Sequence, residues 1–186
     1  PQVNYTDRDS HFIFGDVATA TILEAAETVN TDTAFDILST KAKTVYSNNI
    51  RSNFGYMSRA NDVDPFGPDK LFHQAGRRVF KEVCPMAAEH IASHLGQHEL
   101  SPDNVNRWWL HQANINMNTL ICKKLLGRDA NSEEAPIVLD EYANTASAGS
   151  IIAFALHHQD LASQDVGVIC SFGAGYSIGS LVVRKR

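Results

Sequence analysis

The sequence predicts an α/β fold in which helices cover a mixed, mainly parallel β-sheet. Three observations support this class. Strand-like runs alternate with helical patterns along the chain, which is typical of layered α/β proteins. The short apolar run at residues 108–110 is followed at once by a polar loop and a helical pattern, as at the end of a buried parallel strand. Gly173-Ala174-Gly175 separates the last two strand-like runs, which should form an antiparallel hairpin.

The N-terminal part of the chain is predicted to form strands and one long loop. Residues 10–26 contain two strand-like runs that are separated at Gly15-Asp16, and β-branched residues favour a strand in the second run. Residues 35–46 form another β-rich run. Residues 48–70 carry many Asn, Gly, Pro and Ser residues without periodicity, so we expect a loop there.

Two helices are predicted around the apolar run at residues 108–110. Over residues 71–97, apolar residues recur at every fourth position, and Pro85 should kink or split the helix. Over residues 115–126, a second helix should end at Gly127. The remaining predicted elements are a short strand at residues 136–141, a helix at 151–161, and strands at 166–172 and 178–184.

Composition excludes several classes of protein. The chain has 186 residues, is 44% hydrophobic and carries a net charge of -5, which fits a globular domain and argues against nucleic-acid binding. No apolar run reaches the length of about 18 residues that a membrane span needs. The 3 cysteines lack zinc-ligand spacing, so we expect buried thiols, a cytoplasmic compartment and no metal. The N-terminus has no initiator Met and no signal-peptide pattern, and we expect a piece of a longer protein.

Three polar or glycine-rich loops follow predicted strands and are candidates for a site. They are His111-Gln112-Ala113-Asn114, residues 144–147 and residues 173–175. If the first two leave the same sheet edge, His111 and Asn144 can donate hydrogen bonds to one oxyanion. Spacing alone leaves the alternatives open, since a histidine at a strand end is more often structural and a Gly-x-Gly is more often only a turn.

His90, His94 and His98 form a second histidine group. Their spacing of four places them on one helix face, where they can bind a metal. No carboxylate or cysteine completes the set, so we expect a solvated helix face instead.

Four motifs resemble β-ketoacyl-ACP synthase III and its relatives in the thiolase superfamily. They are "LHQAN" before a helix, "YANTASAGS" in place of the family's Gly-Asn-Thr-Ser stretch, "SFGAGYSIGSLVVR" at the C-terminal strand turn, and "FIFGDVATATILEA" for the family's Phe-Gly-Asp-Gly-Ala strand pair. They occur in the family's order and span residues 12–184. The resemblance implies a thiolase-like fold, with residues 1–30 ending its N-terminal half and residues 31–186 forming its C-terminal half, an αβα layer structure. Within these motifs, "HQANINMN" and "GAGYSIGS" resemble the sequences of the subgroup that accepts medium-chain acyl-CoA primers.

The resemblance also implies site residues. It assigns the catalytic histidine to His111 and the catalytic asparagine to Asn144, and a main-chain oxyanion contact to Ala174 with its neighbours Gly173 and Gly175. The family's nucleophilic cysteine lies in the N-terminal half, and no cysteine of this chain matches it. Further substrate contacts are implied for Phe172, Asn114 and Asn116. Asn116 stands where the family often has an arginine that contacts the acyl carrier protein.

The chemistry implied by the resemblance is a decarboxylative Claisen condensation of fatty acid biosynthesis. Acyl-CoA loads the cysteine, and malonyl-ACP loses carbon dioxide and attacks the bound acyl group. The implied partners are acyl-CoA, the acyl carrier protein, the missing N-terminal half and a second copy in a homodimer, with no further cofactor, nucleic acid or membrane. A non-catalytic thiolase-fold subunit that contributes only an interface is the alternative. In either case these residues alone should be inactive.

Overall fold

The computed structural model describes residues 3–52 and 71–186, and the elements below are those of this part of the chain. The strands are β1 (Phe35–Ser47), β2 (Ile50–Ser52), β3 (Phe72–Gln74), β4 (Arg107–Leu110), β5 (Val166–Gly173) and β6 (Gly175–Lys185). The helices are α1 (Gly76–Gly96), α2 (Ile115–Leu126), α3 (Leu139–Tyr142) and α4 (Ala148–Leu156), with a 3-10 turn at Pro102–Asn104. None of these helices is long and apolar enough to cross a lipid bilayer.

Four strands form the main sheet in the order β1-β6-β5-β4. β4 and β5 run parallel, whereas β6 is antiparallel to both β5 and β1. The mixed sheet and the hairpin around Ala174 are therefore confirmed. Among the described strands the sheet has less parallel pairing than we predicted, because the long strand β1 joins β6 in the antiparallel sense.

Both faces of this sheet are covered, and the two tryptophans of β4 lie on opposite faces. Trp108 packs in the larger hydrophobic cluster together with residues of α1 and α2. Trp109 packs in the smaller cluster against Ile152 and Ala153 of α4. The alternation of side chains along a strand produces this division, and the layers follow the predicted αβα order.

Helix α1 begins later than predicted and runs unbroken through Pro85. Residues 72–74 form β3 instead, paired with β2, so the helix starts at Gly76. Pro85 lies on the exposed side of the helix, next to the exposed Lys81 in the preceding turn. The carbonyl group that loses its hydrogen-bond donor therefore faces solvent, where the cost of the interruption is smallest.

Several predicted elements differ from the structure. Neither strand predicted within residues 10–26 forms. Residues 10–14 contain only the single bridge at Phe14, and residues 17–26 pair with no described strand, with Ile22 and Leu23 exposed. Residues 136–141 do not form a strand either, and the short helix α3 takes up their second half. Helix α4 occupies residues 148–156 rather than 151–161. Of the predicted loop at residues 48–70, residues 50–52 form β2, and residues 53–70 lie outside the described part of the chain.

The histidine group on α1 is not a solvated face, so that expectation is wrong for two of its three members. His90 and His94 are buried, and only His98, which lies in the turn after α1 rather than on the helix, is exposed. The Ser180 hydroxyl lies 3.0 Å from His90 Nε2 and 2.7 Å from His94 Nδ1, and Ser39 contacts His94 Nε2. The histidine face of α1 packs against β1 and β6, and the two serines supply partners for three of the four ring nitrogens of His90 and His94.

Candidate active site

A cavity of about 890 Å³ opens between the sheet end, helix α1 and the N-terminal segment. Most of the predicted site residues line it. These are His111, Asn114, Asn144, Phe172, Gly173 and Ala174. Gly175 and Asn116 do not line the cavity, although each is a chain neighbour of the wall. The structure therefore brings together the three loops that the sequence singled out.

His111 follows β4 directly, and its side chain is 6% exposed. Its ring packs edge-on against Phe172, with 4.7 Å between the ring centres. Burial lowers the pKa of His111 to about 4, and the main-chain carbonyl of Ala146 beside the ring offsets part of this effect. The imidazole is therefore neutral at pH 7, so it has one N–H to donate. The enclosed Nδ1 has no hydrogen-bond partner among the described residues.

Asn144 lies outside regular secondary structure, contrary to the expectation that its loop follows a strand. Its main-chain N–H donates to the Ile13 carbonyl at 2.9 Å, and its carbonyl accepts from the Gly15 N–H at 3.0 Å. Phe14 and Asn144 thereby form a single parallel bridge. The N–H of Ala146 donates to Asn144 Oδ1 at 2.9 Å. Because that oxygen is used locally, the amide nitrogen of Asn144 keeps its two N–H groups for another acceptor.

Ala146 lies next to both polar side chains of the site. Its N–H holds the amide oxygen of Asn144, and its carbonyl lies beside the His111 ring. It adopts a left-handed backbone conformation with φ 54, which is costly for a residue with a Cβ. Sequence spacing contains no signal for this connection, since it depends on the local path of the chain.

Gln112 holds the His111 loop to the segment that precedes Asn144. Its side chain is fully buried and donates to the carbonyls of Leu110 at 2.9 Å and Pro136 at 3.3 Å. Its Oε1 accepts from the Val138 N–H at 3.1 Å. These contacts satisfy the main-chain groups that a neighbouring strand would otherwise bind, so residues 136–138 are buried without joining the sheet.

The turn between β5 and β6 presents a main-chain N–H beside the cavity. Ala174 is exposed, and its N–H donates to no acceptor among the described residues. Gly175 has φ 139, and a Cβ at that position would lie 2.6 Å from the Ser177 hydroxyl oxygen. Glycine is therefore required at 175, whereas Ala174 avoids positive φ and fits its place in the turn.

Sequence reasoning missed the apolar wall and the N-terminal contacts of the cavity. Helix α1 contributes Val79, Phe80 and Val83, and the N-terminal segment contributes Ile13 and Phe14. The periodic apolar stripe of α1 marked Val79 and Val83 as inward-facing. Nothing in that stripe distinguishes a residue that faces a cavity from one that faces a filled core.

All three cysteines are buried, as predicted, and none has the properties of a nucleophile. Burial raises the pKa of Cys84 to about 11, and of Cys122 and Cys170 to about 12. A thiol of this kind is almost wholly protonated at pH 7. Within residues 3–52 and 71–186, no group of three His, Cys, Asp or Glu side chains is placed to hold a metal ion.

Residues 95–185 match the protein family described as 3-oxoacyl-[acyl-carrier-protein] synthase III C terminal. This part of the chain belongs to that family. The matched synthase III region begins near the end of α1 and contains the His111 loop, Asn144 and the glycine turn. The predicted family is therefore confirmed from a region that includes most of the cavity's polar residues.

Similar proteins support the same assignment. The chain is 57% identical over 184 residues to a β-ketodecanoyl-[acyl-carrier-protein] synthase of Pseudomonas aeruginosa, covering 99% of this chain and 53% of that protein. It is 29% identical over 184 residues to a β-ketoacyl-[acyl-carrier-protein] synthase III of Ehrlichia ruminantium, covering 98% of this chain and 54% of that one. The chain spans about half the length of the curated relatives that it matches.

Solved structures confirm the fold. The crystal structure of 3-oxoacyl-[acyl-carrier-protein] synthase III from Aquifex aeolicus superimposes with a TM-score of 0.73 at 21% identity, covering 98% of this chain and 54% of that one. The synthase III of Thermus thermophilus gives a TM-score of 0.71 at 19% identity, with coverage of 99% and 55%. The fold is therefore the thiolase-like α/β fold that the sequence predicted.

Proposed function

We propose that this chain forms the C-terminal half of a condensing enzyme of the synthase III type, which joins an acyl-CoA to malonyl-ACP with loss of carbon dioxide. The observation that carries the proposal is that His111 and Asn144 line one cavity, with Ala146 adjacent to both. A neutral imidazole and a free amide group are uncharged donors suited to a thioester oxygen that becomes negative during reaction.

The first step uses a cysteine that this chain does not supply. We place that cysteine in the N-terminal half, whose last residues are residues 1–30 of this chain. Its thiolate attacks the acyl-CoA carbonyl, the bond from that carbon to the CoA sulfur breaks, and CoA leaves as its thiol after taking a proton. The Ala174 N–H and the N–H of the cysteine itself bind the oxyanion that forms in between.

The second step uses this chain's own polar side chains. The bond between the malonyl carboxylate and its neighbouring carbon breaks, carbon dioxide leaves, and the electron pair becomes an enolate. His111 and Asn144 donate to the enolate oxygen. The enolate carbon then attacks the acyl thioester, and collapse of the intermediate returns the thiolate to the cysteine. His111 must carry its proton on the nitrogen that faces the cavity.

The apolar wall and the relatives suggest the primer. The similar protein of Pseudomonas aeruginosa is named for a β-ketodecanoyl product. Because the condensation adds two carbons, we propose a medium-chain primer of eight carbons for this protein. Phe172 and the inward residues of α1 form an apolar lining suited to an alkyl chain. Asn114 lies at the same cavity, while Asn116 is exposed next to the cavity-lining Met117 and offers an acyl carrier protein no positive charge in place of the family's arginine.

The remaining parts of the proposal concern the whole protein. Residues 31–186 form the C-terminal half of the duplicated fold, and two copies form a homodimer in the cytoplasm. No cofactor beyond the two substrates takes part. The apolar side chains of Phe12, Ile22 and Leu23 are exposed in this chain, which is consistent with burial against the N-terminal half.

The two half-reactions of the full-length protein test this function. With octanoyl-CoA, intact mass follows acyl loading of the cysteine, and malonyl-ACP decarboxylation is followed separately. We expect His111→Ala and Asn144→Ala each to slow decarboxylation by about 100-fold or more, since each removes an oxyanion donor, while acyl loading continues. His98→Ala, in the exposed turn after α1, is the matched control and should retain both reactions.

Two results contradict the proposal in different ways. Decarboxylation at the wild-type rate in both variants would show that His111 and Asn144 have other roles. A wild-type protein that neither loads octanoyl-CoA nor decarboxylates malonyl-ACP would show that the whole assignment is wrong, as expected for a non-catalytic subunit.

A further inference from the structure

The carboxylate of Glu82 joins helix α1 to the strand that follows the glycine turn. The Tyr176 hydroxyl donates to Glu82 Oε2 at 2.9 Å. The side-chain amide of Asn49 donates to the same oxygen at 3.0 Å. Three separate parts of the chain therefore meet at one carboxylate: the segment between β1 and β2, the middle of α1, and the start of β6.

Tyr176 is close enough to the turn at residues 173–175 to restrict its position. It follows Gly175 directly and is two positions from Ala174, whose N–H is free beside the cavity. Its side chain is 2% exposed and packs in the larger hydrophobic cluster, so its hydroxyl reaches the carboxylate from a buried ring. A buried aromatic ring with one hydrogen-bonded end has little freedom to move.

The other partner of Glu82, Asn49, is linked to the cavity wall, as is Glu82 itself. The Asn49 carbonyl accepts from the Ala75 N–H at 2.7 Å, immediately before α1 begins. Ser47, which precedes Asn49 by two positions, pairs with Gly175 in the β1–β6 register. Glu82 itself lies between Val79 and Val83 on α1, and both of these valines line the cavity.

We propose that Glu82 and Tyr176 are positioning residues, which fix the turn at residues 173–175 and thereby aim the Ala174 N–H at the acyl oxyanion. The inference rests on the proposed function. Gly173 ends β5 and Gly175 begins β6, so strand pairing holds the two sides of the turn, and the Tyr176–Glu82 contact adds an anchor to α1 that the strands do not supply. An oxyanion donor loses most of its effect when it is displaced by about 1 Å, so such a contact has a kinetic consequence.

Glu82 and Tyr176 should affect acyl loading but not malonyl-ACP decarboxylation. Acyl loading uses the Ala174 N–H, whereas decarboxylation uses His111 and Asn144. In the full-length protein, Tyr176→Phe should therefore slow acyl loading by roughly 10-fold and leave malonyl-ACP decarboxylation within about twofold of wild type. Glu82→Ala should have a similar effect, and the double variant should be no slower than the slower single variant, since both act through one contact. Tyr46→Phe, at a tyrosine that is 85% exposed, is the matched control.

Hydrogen exchange of the peptide that spans the turn gives a readout that does not depend on activity. Tyr176→Phe should speed exchange there by about 10-fold without changing exchange in α2. Unchanged exchange, unchanged acyl loading, or an equal loss of both half-reactions would each overturn the inference. A wild-type protein with neither half-reaction would instead overturn the proposed function, and the exchange measurement would still decide whether Tyr176 positions the turn.

Discussion

The main-chain N–H of Gly15 donates to the carbonyl of Asn144 at 3.0 Å, on a segment that belongs to neither a helix nor a regular strand. Together with the bond from the Asn144 N–H to Ile13, it fixes both main-chain polar groups of the proposed catalytic asparagine. The position of this side chain is therefore set by residues from the far N-terminal part of the chain. The motif around Gly15 therefore positions Asn144 through main-chain hydrogen bonds, although none of its side chains takes part in the proposed reaction.

Gly15→Ala should disturb Asn144. A Cβ at Gly15 would lie 2.2 Å from the Tyr142 carbonyl oxygen, which forces the main chain to shift. We expect a loss of about 1–3 kcal/mol in the free energy of unfolding and a decarboxylation rate at least about 10-fold lower. Urea unfolding and the decarboxylation assay measure the two effects in the full-length protein.

Gly96→Ala is the control for that substitution, because a Cβ there would meet nothing within 4 Å. It should leave decarboxylation unchanged and stability equal to or slightly above that of the wild type. If Gly15→Ala behaves in the same way as Gly96→Ala, the main-chain hydrogen bonds of Asn144 to Ile13 and Gly15 do not support its role in decarboxylation.

Ala143→Gly should stabilise the protein. Ala143 has φ 56 and ψ -159, a backbone conformation that glycine adopts far more readily than alanine. It also occupies the glycine position of the family's Gly-Asn-Thr-Ser stretch. Relief of this strain should raise the free energy of unfolding by about 1 kcal/mol after the entropy cost of glycine is subtracted. The comparison is Ala92→Gly, on the exposed face of α1, which should lower it by about 1 kcal/mol. If both substitutions change the free energy of unfolding in the same direction, the strain assigned to Ala143 is wrong.

His94 should make stability depend on pH. Burial, followed by the nearby charges of His90, Lys41 and His98, lowers the pKa of His94 to about 4, and His90 is shifted in the same direction. An unfolded chain binds these protons at about pH 6.5. Neutral His94 thus contributes stability that is complete above pH 6.5 and is lost as the pH falls from 6.5 to about 4.

Urea midpoints between pH 7.5 and 4.5 measure this dependence. His94→Gln should flatten the curve by about 1.4 kcal/mol per pH unit, whereas His98→Gln should leave its slope unchanged, since His98 is exposed. The pKa of His111 is also lowered to about 4, so part of the pH dependence of stability should remain in either variant. A His94→Gln protein with the wild-type slope would show that His94 is protonated equally in both states.

Some elements were predictable because their signals are local. The apolar stripe of α1 depends on side-chain periodicity, and the Gly127 stop of α2 depends on the left-handed backbone that glycine accepts; both predictions are confirmed. Strands were less predictable. Residues 17–26 have β-branched residues and no described partner, while residues 136–138 satisfy their main chain through the Gln112 side chain. A strand requires a neighbouring strand, and that information is not local.

The sequence by itself determined the α/β class, the synthase III resemblance and the three loops that carry the polar residues of the site. Only the tertiary structure decided that His111 and Asn144 line one cavity with Ala146 beside them, that Ile13 and Gly15 hold Asn144, and that His90 and His94 are buried against serines. The physical reason is distance along the chain. Periodicity and turn chemistry act over a few residues, whereas these contacts pair main-chain and side-chain groups that meet only after the layers have packed.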